Sequence, residues 1–474
     1  MAEAVVVGAG PNGLAAAVAL AREGVAVTVL EQAATIGGGT RSGELTLPGL
    51  LHDHCAAVHP MALASPFLRS LDLERHGLRW RRPEVDLAHP LNQGEPGVLH
   101  QSIERTVAGL GADGAAWRRV FGPLAAEFDA LAEEVMRPPL HLPAHPGPLL
   151  RLALRAAPPA AALARAAWRT PQARALFAGT AAHAVRPLGA LGSGAIGLLL
   201  LAAGHRHGWP VAQGGSQAVA EALAARLREL GGRVETGVRV RSLTELPPGA
   251  AVLLDLAPRE AHAVCGSRLP ARTARAYARW QHGPGAFKLD LAMEGGIPWR
   301  DEACRRAGTV HLGGTLAEIG HAERAIAQGR MPERPFVLVS QQYLADPGRS
   351  AGSVHPVWAY AHVPSGWRGD ATEAVLAQLE RFAPGTRERI LAQTVSGPAQ
   401  LAADNPNFVG GDILTGANTA RQLLLRPRAA LDPYATGIPG VYLCSAATPP
   451  GPGVHGMCGY GAARSALRHL AVRG

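Results

Sequence analysis

Three glycines near the start of the sequence, and one acidic residue behind them, have the spacing of a dinucleotide site. Gly8, Gly10 and Gly13 form the pattern Gly-x-Gly-x-x-Gly, and Glu31 follows. In this pattern the first glycine allows a tight turn, the second lets the backbone approach a pyrophosphate, and the third lets the next helix pack closely. A carboxylate at position 31 can accept hydrogen bonds from ribose hydroxyls and repels a 2′-phosphate. The spacing therefore predicts a bound dinucleotide and disfavours NADP.

The residues around the glycines have the pattern of a complete β-α-β unit. Residues 4–7 form a short apolar run, typical of a parallel strand that is buried on both faces. Residues 14–23 predict an Ala/Leu helix that Gly24 ends, and residues 25–30 predict the second strand. The phosphates would then lie at the positive end of the helix. In this context the glycine pattern is a specific sign of a dinucleotide site, although it does not distinguish FAD from NAD.

Two further features offer side chains that could take part in chemistry. Lys288 is the only lysine among the 46 basic residues, and a codon bias toward arginine explains the missing lysines but not the remaining one. His52, His54 and His59 lie close together, and histidine exchanges protons near neutral pH. The pair His52 and His54 has a spacing that also suits metal ligation. Because no partner cluster is evident, no metal site is predicted.

The composition excludes several classes of protein. The chain carries a net charge of +9, but its arginines are spread between Arg22 and Arg473 without a dense run. We therefore expect no nucleic-acid binding, while the charge is compatible with peripheral contact with an anionic membrane. Five distant cysteines without Cys-x-x-Cys argue against disulfides and zinc, and fit a reducing, cytoplasmic compartment. No signal peptide is expected before the first strand. Residues 194–204 are too few to span a bilayer and predict a buried helix.

Two segments point to FAD as the dinucleotide. Residues 36–42 (Ile-Gly-Gly-Gly-Thr-Arg-Ser) resemble the Gly-Gly-x-x-Arg-Ser/Thr segment of the amine-oxidase and phytoene-desaturase superfamily of flavoproteins. Residues 440–467 resemble the closing flavin motif of that superfamily, with Ser445 in place of its usual glycine. The resemblance implies that FAD is held by Gly8, Gly10, Pro11, Asn12, Gly13, Glu31, Gly38, Gly39, Thr40, Arg41, Val238, Ala446, Ala447, Val454, His455, Gly456 and Met457.

The resemblance extends over most of the chain. Residues 52–66, 311–325, 335–350 and 410–427 are similar to segments of the phytoene-desaturase-related oxidoreductases. The branch concerned includes the mitochondrial pyridine nucleotide-disulphide oxidoreductase domain 2 protein. The present sequence has no second Gly-x-Gly-x-x-Gly for NAD and no redox Cys-x-x-Cys.

The implied fold is an α/β fold with an FAD-binding, Rossmann-type domain like that of glutathione reductase, assembled from discontinuous segments. We assign residues 1–85, 205–285 and 429–474 to the FAD-binding domain. Residues 86–204, rich in Ala, Arg, Leu and Pro, predict a helical lobe. Residues 286–428 predict a mixed or antiparallel sheet, and together these two insertions form the substrate-binding domain.

The resemblance also implies a reaction. We expect an FAD-dependent oxidoreductase, a desaturase, dehydrogenase or oxidase, that removes a hydride and a proton from a largely apolar organic substrate. Oxygen or a quinone would reoxidise the flavin. Lys288 looks like the lysine that monoamine and polyamine oxidases hold near flavin N5, and His59, then His455, are the predicted proton acceptors. The alternatives are amine oxidation that uses Lys288, FAD-dependent double-bond isomerisation without net redox change, and a binding protein without chemistry.

Overall fold

A parallel sheet carries the glycine pattern. The computed structural model describes residues 2–473, with the side chains of residues 2–470. Five strands form this sheet: β1 (Glu3–Val7), β2 (Ala26–Glu31), β9 (Arg233–Thr236), β10 (Ala251–Leu254) and β16 (Val441–Leu443). They lie in the order β16-β10-β1-β2-β9, and every neighbouring pair is parallel. The predicted Rossmann-type sheet is thus confirmed, and distant parts of the chain supply its strands.

Three helices pack around the start of this sheet. Helix α1 (Pro11–Arg22) packs against α11 (Gln217–Glu229) and α19 (Met457–Arg473). The backbones of α1 and α19 touch, because a Cβ atom on Gly459 would lie only 1.8 Å from the carbonyl oxygen of Asn12. The helix that follows the closing motif therefore supports the glycine turn directly.

A second, mixed sheet lies beyond the first. Its strands are β6 (Val85–His89), β7 (Gly97–Leu99), β11 (Gly285–Glu294), β12 (Ala307–Leu312), β13 (Val337–Ser340), β14 (Val354–Val363) and β15 (Ile390–Ser396). They lie in the order β15-β11-β14-β13-β12-β6-β7. Strands β6 and β12 run parallel, and the other neighbouring pairs are antiparallel. A mixed or antiparallel sheet after residue 286 was the expectation, and the structure confirms it.

The prediction of helices throughout residues 86–204 was wrong at its start. Strands β6 and β7 occupy residues 85–99 and extend the mixed sheet. All five residues of β6 are buried, so its sequence lacks the alternation of apolar and polar residues that marks a half-exposed strand.

The helical lobe follows these two strands. It consists of α4 (Ile103–Gly109), α5 (Gly114–Ala126), α6 (Phe128–Val135), α7 (Pro146–Ala156), α8 (Ala160–Ala167), α9 (Pro171–Ala181) and α10 (Gly194–His207). The rings of Trp117, Phe121 and Trp168 pack at its centre, with centroids 4.5 and 5.2 Å apart for the two contacts of Trp117. Helix α10 contains the predicted buried helix. Among residues 2–473, no helix is both long enough and apolar enough to cross a membrane.

Short elements connect these parts. Two small antiparallel pairs are β3 (Ser42–Glu44) with β4 (Leu51–Asp53), and β5 (Trp80–Arg81) with β8 (Val211–Ala212). The remaining helices are α2 (Pro60–Ala64), α3 (Pro66–Arg69), α12 (Pro258–Cys265), α13 (Ala271–Ala278), α14 (Glu302–Arg306), α15 (Leu316–Ala327), α16 (Thr372–Phe382), α17 (Pro398–Asp404) and α18 (Ala420–Leu424).

Candidate active site

One cavity of about 550 Å³ reaches from the parallel sheet into the second domain. At one end it is lined by the glycine turn and by the carboxyl ends of β1, β2 and β10. At the other end it is lined by side chains of α10, β12, β13 and β14. A ligand in this cavity would contact both domains.

The glycine turn is too tight for larger side chains. A Cβ atom on Gly13 would lie 2.1 Å from the carbonyl oxygen of Gly8, and one on Gly10 would lie 2.7 Å from Oδ2 of Asp255. Gly8 has φ near +102°, in the region that favours glycine. Each glycine of the pattern therefore has a steric reason of its own.

Glu31 lies at the end of β2 with its carboxylate at the cavity wall. Its Oε2 accepts a hydrogen bond from the backbone N–H of Ala9 at 2.7 Å, and its Oε1 accepts one from Ala33 at 2.9 Å. A carboxylate has about four acceptor positions, so further hydrogen bonds from ribose hydroxyls can be accommodated. The backbone N–H of Val238 binds the carbonyl oxygen of Glu31 at 2.8 Å and thereby brings Val238 to the same wall.

Asp255, which the sequence analysis missed, lies against the glycine turn. Its Oδ2 accepts a hydrogen bond from the N–H of Gly13 at 2.9 Å, at the start of α1. Burial, together with the nearby charge of Glu31, raises the pKa of Asp255 to about 7, against the lowering effect of the Gly13 hydrogen bond. The residue follows β10 as Leu254-Asp255, and its position after an apolar strand is the sequence feature that could have revealed it.

The predicted arginine segment forms the next part of the wall. Gly38, Gly39 and Thr40 make one 3₁₀ turn, and Thr40 Oγ1 donates to the carbonyl oxygen of Gly37 at 2.8 Å. Arg41 Nη2 donates to the carbonyl oxygen of Asp404 at 2.7 Å. The guanidinium is thereby held at the cavity wall, close to where a phosphate or a flavin would be bound.

The structure separates the predicted cofactor residues into two groups. Those that line the cavity are Gly8, Gly10, Pro11, Asn12, Glu31, Gly38, Gly39, Thr40, Arg41, Val238, Ala446 and Val454. Those that lie behind the lining are Gly13, Ala447, His455, Gly456 and Met457. Asn12 also has a buried Oδ1 without a hydrogen-bond partner in the protein, which fits a donor supplied by a ligand.

Lys288 is engaged in a buried ion pair away from the cavity lining. Its Nζ donates to both carboxylate oxygens of Asp290, at 2.7 and 2.6 Å, and to the carbonyl oxygen of Asp53 at 2.9 Å. The two side chains share one face of β11, as residues two positions apart do in a strand. These contacts give the single lysine a structural partner, and its predicted role near flavin N5 stays a prediction.

The two predicted histidines occupy different surroundings. His59 lines the cavity, and its Nε2 lies 2.8 Å from Oγ of Ser216, while its Nδ1 is buried without a partner. Burial lowers the pKa of His59 to about 4, so the ring is neutral at neutral pH. His455 lies behind the wall, and its Nδ1 accepts from the N–H of Met457 at 3.1 Å. The lone pair of His455 is therefore used inside the protein.

A buried ion-pair network connects Ser216 to the second domain. Asp53 Oδ1 accepts from the N–H of Ser216 at 2.7 Å, and Asp53 Oδ2 binds Arg349 Nη1 at 2.6 Å. Arg349 also binds Asp346 at 3.0 Å. The charge of Arg349 and these hydrogen bonds hold the pKa of Asp53 below its usual value although burial opposes this. The network joins both domains next to His59.

The far end of the cavity is apolar and aromatic. Its lining includes Leu199, Leu200, Leu338, Trp358 and Tyr360. Leu199 and Leu200 belong to α10, which contains the helix predicted to be buried, and both face the cavity.

The carboxylates of the lining belong to the nucleotide end or to the neighbourhood of Arg41. Among residues 2–470 they are Glu31, Asp255, Glu260 and Asp404. The apolar end therefore has no carboxylate in its described lining. An ammonium group would find no negative charge at this end among the described residues.

Comparisons with known proteins agree with this geometry. Residues 6–71 match the model of the NAD(P)-binding Rossmann-like domain. The chain is 26% identical to pyridine nucleotide-disulfide oxidoreductase domain-containing protein 2 from Mus musculus, over 99% of this chain and 94% of that protein.

Solved structures show the same fold. Putrescine oxidase bound to putrescine matches with a TM-score of 0.63 and 20% identity, over 99% of both chains. An oxidoreductase from Methanosarcina mazei matches with a TM-score of 0.63 and 14% identity, over 98% of this chain and all of that one. Cyclohexylamine oxidase from Brevibacterium oxydans matches with a TM-score of 0.56 and 15% identity, over 100% and 99%. These likenesses confirm the predicted α/β fold with its Rossmann-type dinucleotide-binding sheet.

Proposed function

We propose that the chain is an FAD-dependent oxidoreductase that removes a hydride and a proton from a largely apolar organic substrate. The observation that carries this proposal is one continuous cavity, which joins the dinucleotide cradle to an apolar, aromatic chamber. Oxygen or a quinone is the proposed final acceptor of the electrons. The oxidoreductase named in the mouse relative and the oxidases with the same fold support the reaction class.

The described residues supply what FAD needs. Glu31 offers carboxylate oxygens for the ribose, and the start of α1 offers a positive helix end for the pyrophosphate. Arg41 and Val454 line the part of the cavity toward the second domain. FAD, when bound, supplies the hydride acceptor, while the protein contributes orientation and electrostatics.

The apolar chamber selects the substrate by burial. Leu199, Leu200 and Leu338 offer aliphatic surface, and Trp358 and Tyr360 offer ring faces. Burying apolar surface stabilises a complex by about 25 cal/mol per Å². A chamber of this kind also excludes water from the reacting carbon atoms. Because its described lining holds no carboxylate, a neutral substrate fits better than a charged amine.

Two alternatives rest on specific observations. Amine oxidation is supported by the common fold with putrescine oxidase and cyclohexylamine oxidase, although Lys288 is bound to Asp290. Double-bond isomerisation would use the same apolar chamber without net transfer of electrons. Amine oxidation differs from the proposal in which substrate bleaches the flavin, and isomerisation differs in leaving the flavin absorbance unchanged.

The test uses the purified full-length protein. We expect a yellow protein whose flavin absorbance bleaches anaerobically with an apolar substrate from a panel of squalene, octanol and octylamine. Bleaching by octylamine alone would favour amine oxidation, and a change in double-bond geometry without bleaching would favour isomerisation. A protein that fails to bind FAD would overturn the proposal. Gly10→Val is the matched control, since its Cβ would lie against Asp255 and close the cradle.

A further inference from the structure

Four histidines and one glutamate lie together beside the apolar chamber. His89 ends β6, His311 lies on β12 and His362 lies on β14. His183 belongs to the 3₁₀ turn after α9, and Glu323 belongs to α15. His183 lines the cavity and is partly exposed, whereas the other four side chains are buried. No local pattern in the sequence marks this cluster, because its members come from five separate elements.

His183 and His311 share one proton. Their Nε2 atoms are 2.9 Å apart, so one ring must donate and the other must accept. Burial lowers the pKa of His183 to about 3, and burial together with the neighbouring histidines holds the pKa of His311 well below its usual value. Both rings are therefore neutral at neutral pH, and one of them holds a lone pair toward the other.

His89 has a defined tautomer and lies beside His311. Its Nε2 lies 2.7 Å from the carbonyl oxygen of Gly314, which can only accept, so Nε2 carries the hydrogen and Nδ1 carries the lone pair. The Nδ1 atoms of His89 and His311 both face Gly179, 2.7 and 3.0 Å from where its Cβ would lie. Two lone pairs facing one space repel each other. With the N–H of His311 at Nδ1, its Nε2 is the acceptor for His183.

The tautomer of His311 decides which nitrogen of His183, a residue of the cavity lining, holds the lone pair. Since its Nε2–H is donated to His311, the lone pair of the neutral ring is at Nδ1, the nitrogen without a protein hydrogen bond among the described residues. The edge of the ring packs against Trp209, with centroids 5.9 Å apart and the planes at 87°. An imidazole lone pair is thereby presented from an apolar wall.

The cluster has a cost that packing alone does not explain. His89 Nδ1, His311 Nδ1, His362 Nε2 and Glu323 Oε2 are buried without hydrogen-bond partners. A buried polar group without a hydrogen-bond partner destabilises the folded state. Unpartnered polar groups that gather beside a ligand cavity point to a functional reason for keeping them.

We propose that His183 accepts the proton that the substrate loses, with His311 as the positioning residue that fixes its tautomer. This inference rests on the proposed function. One C–H bond of the substrate breaks with its electron pair going to FAD as hydride. The neighbouring C–H bond breaks with its electron pair forming the new double bond, and its proton goes to Nδ1 of His183. Nε2 of His311 stays the hydrogen-bond acceptor for the N–H of the protonated His183.

Glu323 and His362 form an ion-pair partner set within the same cluster. His362 Nδ1 lies 2.8 Å from Glu323 Oε1, so a buried carboxylate and its imidazole partner belong to the same cluster. His59, the acceptor predicted from the sequence, is less well placed because its free Nδ1 is shielded from the cavity and its Nε2 binds Ser216.

The first experiment compares flavin reduction in variants, with the panel compound that bleaches the wild-type protein fastest. We expect His183→Gln to slow anaerobic bleaching by about 10²–10⁴-fold, the usual contribution of a general base, with little change in KM. Added imidazole should restore part of the rate to His183→Ala. His205→Gln is the matched control, since His205 binds Trp117 away from the cavity, and it should keep the wild-type rate. Unchanged bleaching in His183→Gln would overturn the inference.

The second experiment needs no substrate. Diethyl pyrocarbonate is a small apolar reagent that an imidazole lone pair attacks, with formation of an N–C bond and release of ethyl carbonate. We expect mass spectrometry to find His183 modified faster than His89, His311 and His362, and modified more slowly in His311→Phe. Equal reactivity of His183 in both proteins would contradict the fixed tautomer. If no panel compound bleaches the flavin, the proposed function fails while this experiment still decides the state of His183.

Discussion

Replacing Asp255 by asparagine should change how FAD affinity depends on pH. The carboxyl group accepts the N–H of Gly13 and lies 2.7 Å from where a Cβ of Gly10 would be, directly under the proposed pyrophosphate site. Burial raises its pKa from 3.8 to about 7. A carboxylate there would repel the pyrophosphate. FAD is therefore expected to bind the form of the protein in which Asp255 is protonated. Above neutral pH, binding of FAD should be accompanied by uptake of one proton by the protein.

The magnitude follows from that pKa. With a pKa of about 7, the carboxyl group of Asp255 is mostly protonated below pH 7. Above pH 7, each further pH unit adds about 1.36 kcal/mol to the free energy of protonating it, which is a factor of ten in the equilibrium. Negative charge brought close by FAD raises the pKa of Asp255 further. Between pH 7 and pH 9 we therefore expect the Kd of wild-type protein for FAD to rise by about 10–100-fold. In Asp255→Asn the Kd should stay nearly constant, because asparagine keeps an acceptor for Gly13 and carries no charge.

The assay is titration of the apoprotein with FAD, followed by fluorescence quenching at pH 6, 7, 8 and 9. Calorimetry in two buffers of different ionisation enthalpy should show about one proton taken up per FAD at pH 8 in the wild type, and about none in Asp255→Asn. Asp86→Asn is the matched control, because Asp86 is also buried, its pKa is raised to about 6, and it lies outside the described cavity lining. Parallel pH profiles for wild type and Asp255→Asn would refute the reasoning.

Three further predictions concern other parts of the molecule. Glu31→Gln should weaken FAD binding by about 10–100-fold, since hydrogen bonds to a charged group contribute about 1.5–3 kcal/mol; fluorescence titration measures this, and an unchanged Kd would place the ribose elsewhere. Arg349→Met should lower the free energy of unfolding by about 3–5 kcal/mol at pH 7 because it leaves Asp53 buried without its guanidinium. The loss should shrink as the pH falls and the carboxylate is protonated, which urea unfolding at pH 5 and pH 7 can check. Leu150→Gln with Leu154→Gln, which removes two leucines that are 60% and 69% exposed on α7, should reduce flotation with phosphatidylglycerol vesicles; equal flotation would exclude that surface.

The sequence predicted best what depends on neighbouring residues. The glycine turn, α1 and β2 are set by local spacing, and Glu31 follows because it ends the second strand. The ion pair between Lys288 and Asp290 is also local, but it was not predicted. Residues two positions apart in a strand share a face, so the spacing of these two residues could have indicated their contact.

What the sequence could not predict depends on how distant elements meet. Asp255 reaches the glycine turn only because β10 pairs with β1, and its position after an apolar strand is the one local sign of it. His183 and His311 meet because α9 packs on the second sheet. Strand β6 was missed because it is buried on both faces, which removes the alternation that a single sequence shows.

The contact of α1 with α19 has a consequence for the order in which this protein is made. Asn12 and Gly459 touch, yet almost the whole described chain separates them, so the dinucleotide cradle cannot close until the last helix has been synthesised. At about 5–20 residues per second the first strand and the glycine turn wait roughly 20–90 s for their partner. During that interval the apolar side of α1 is uncovered.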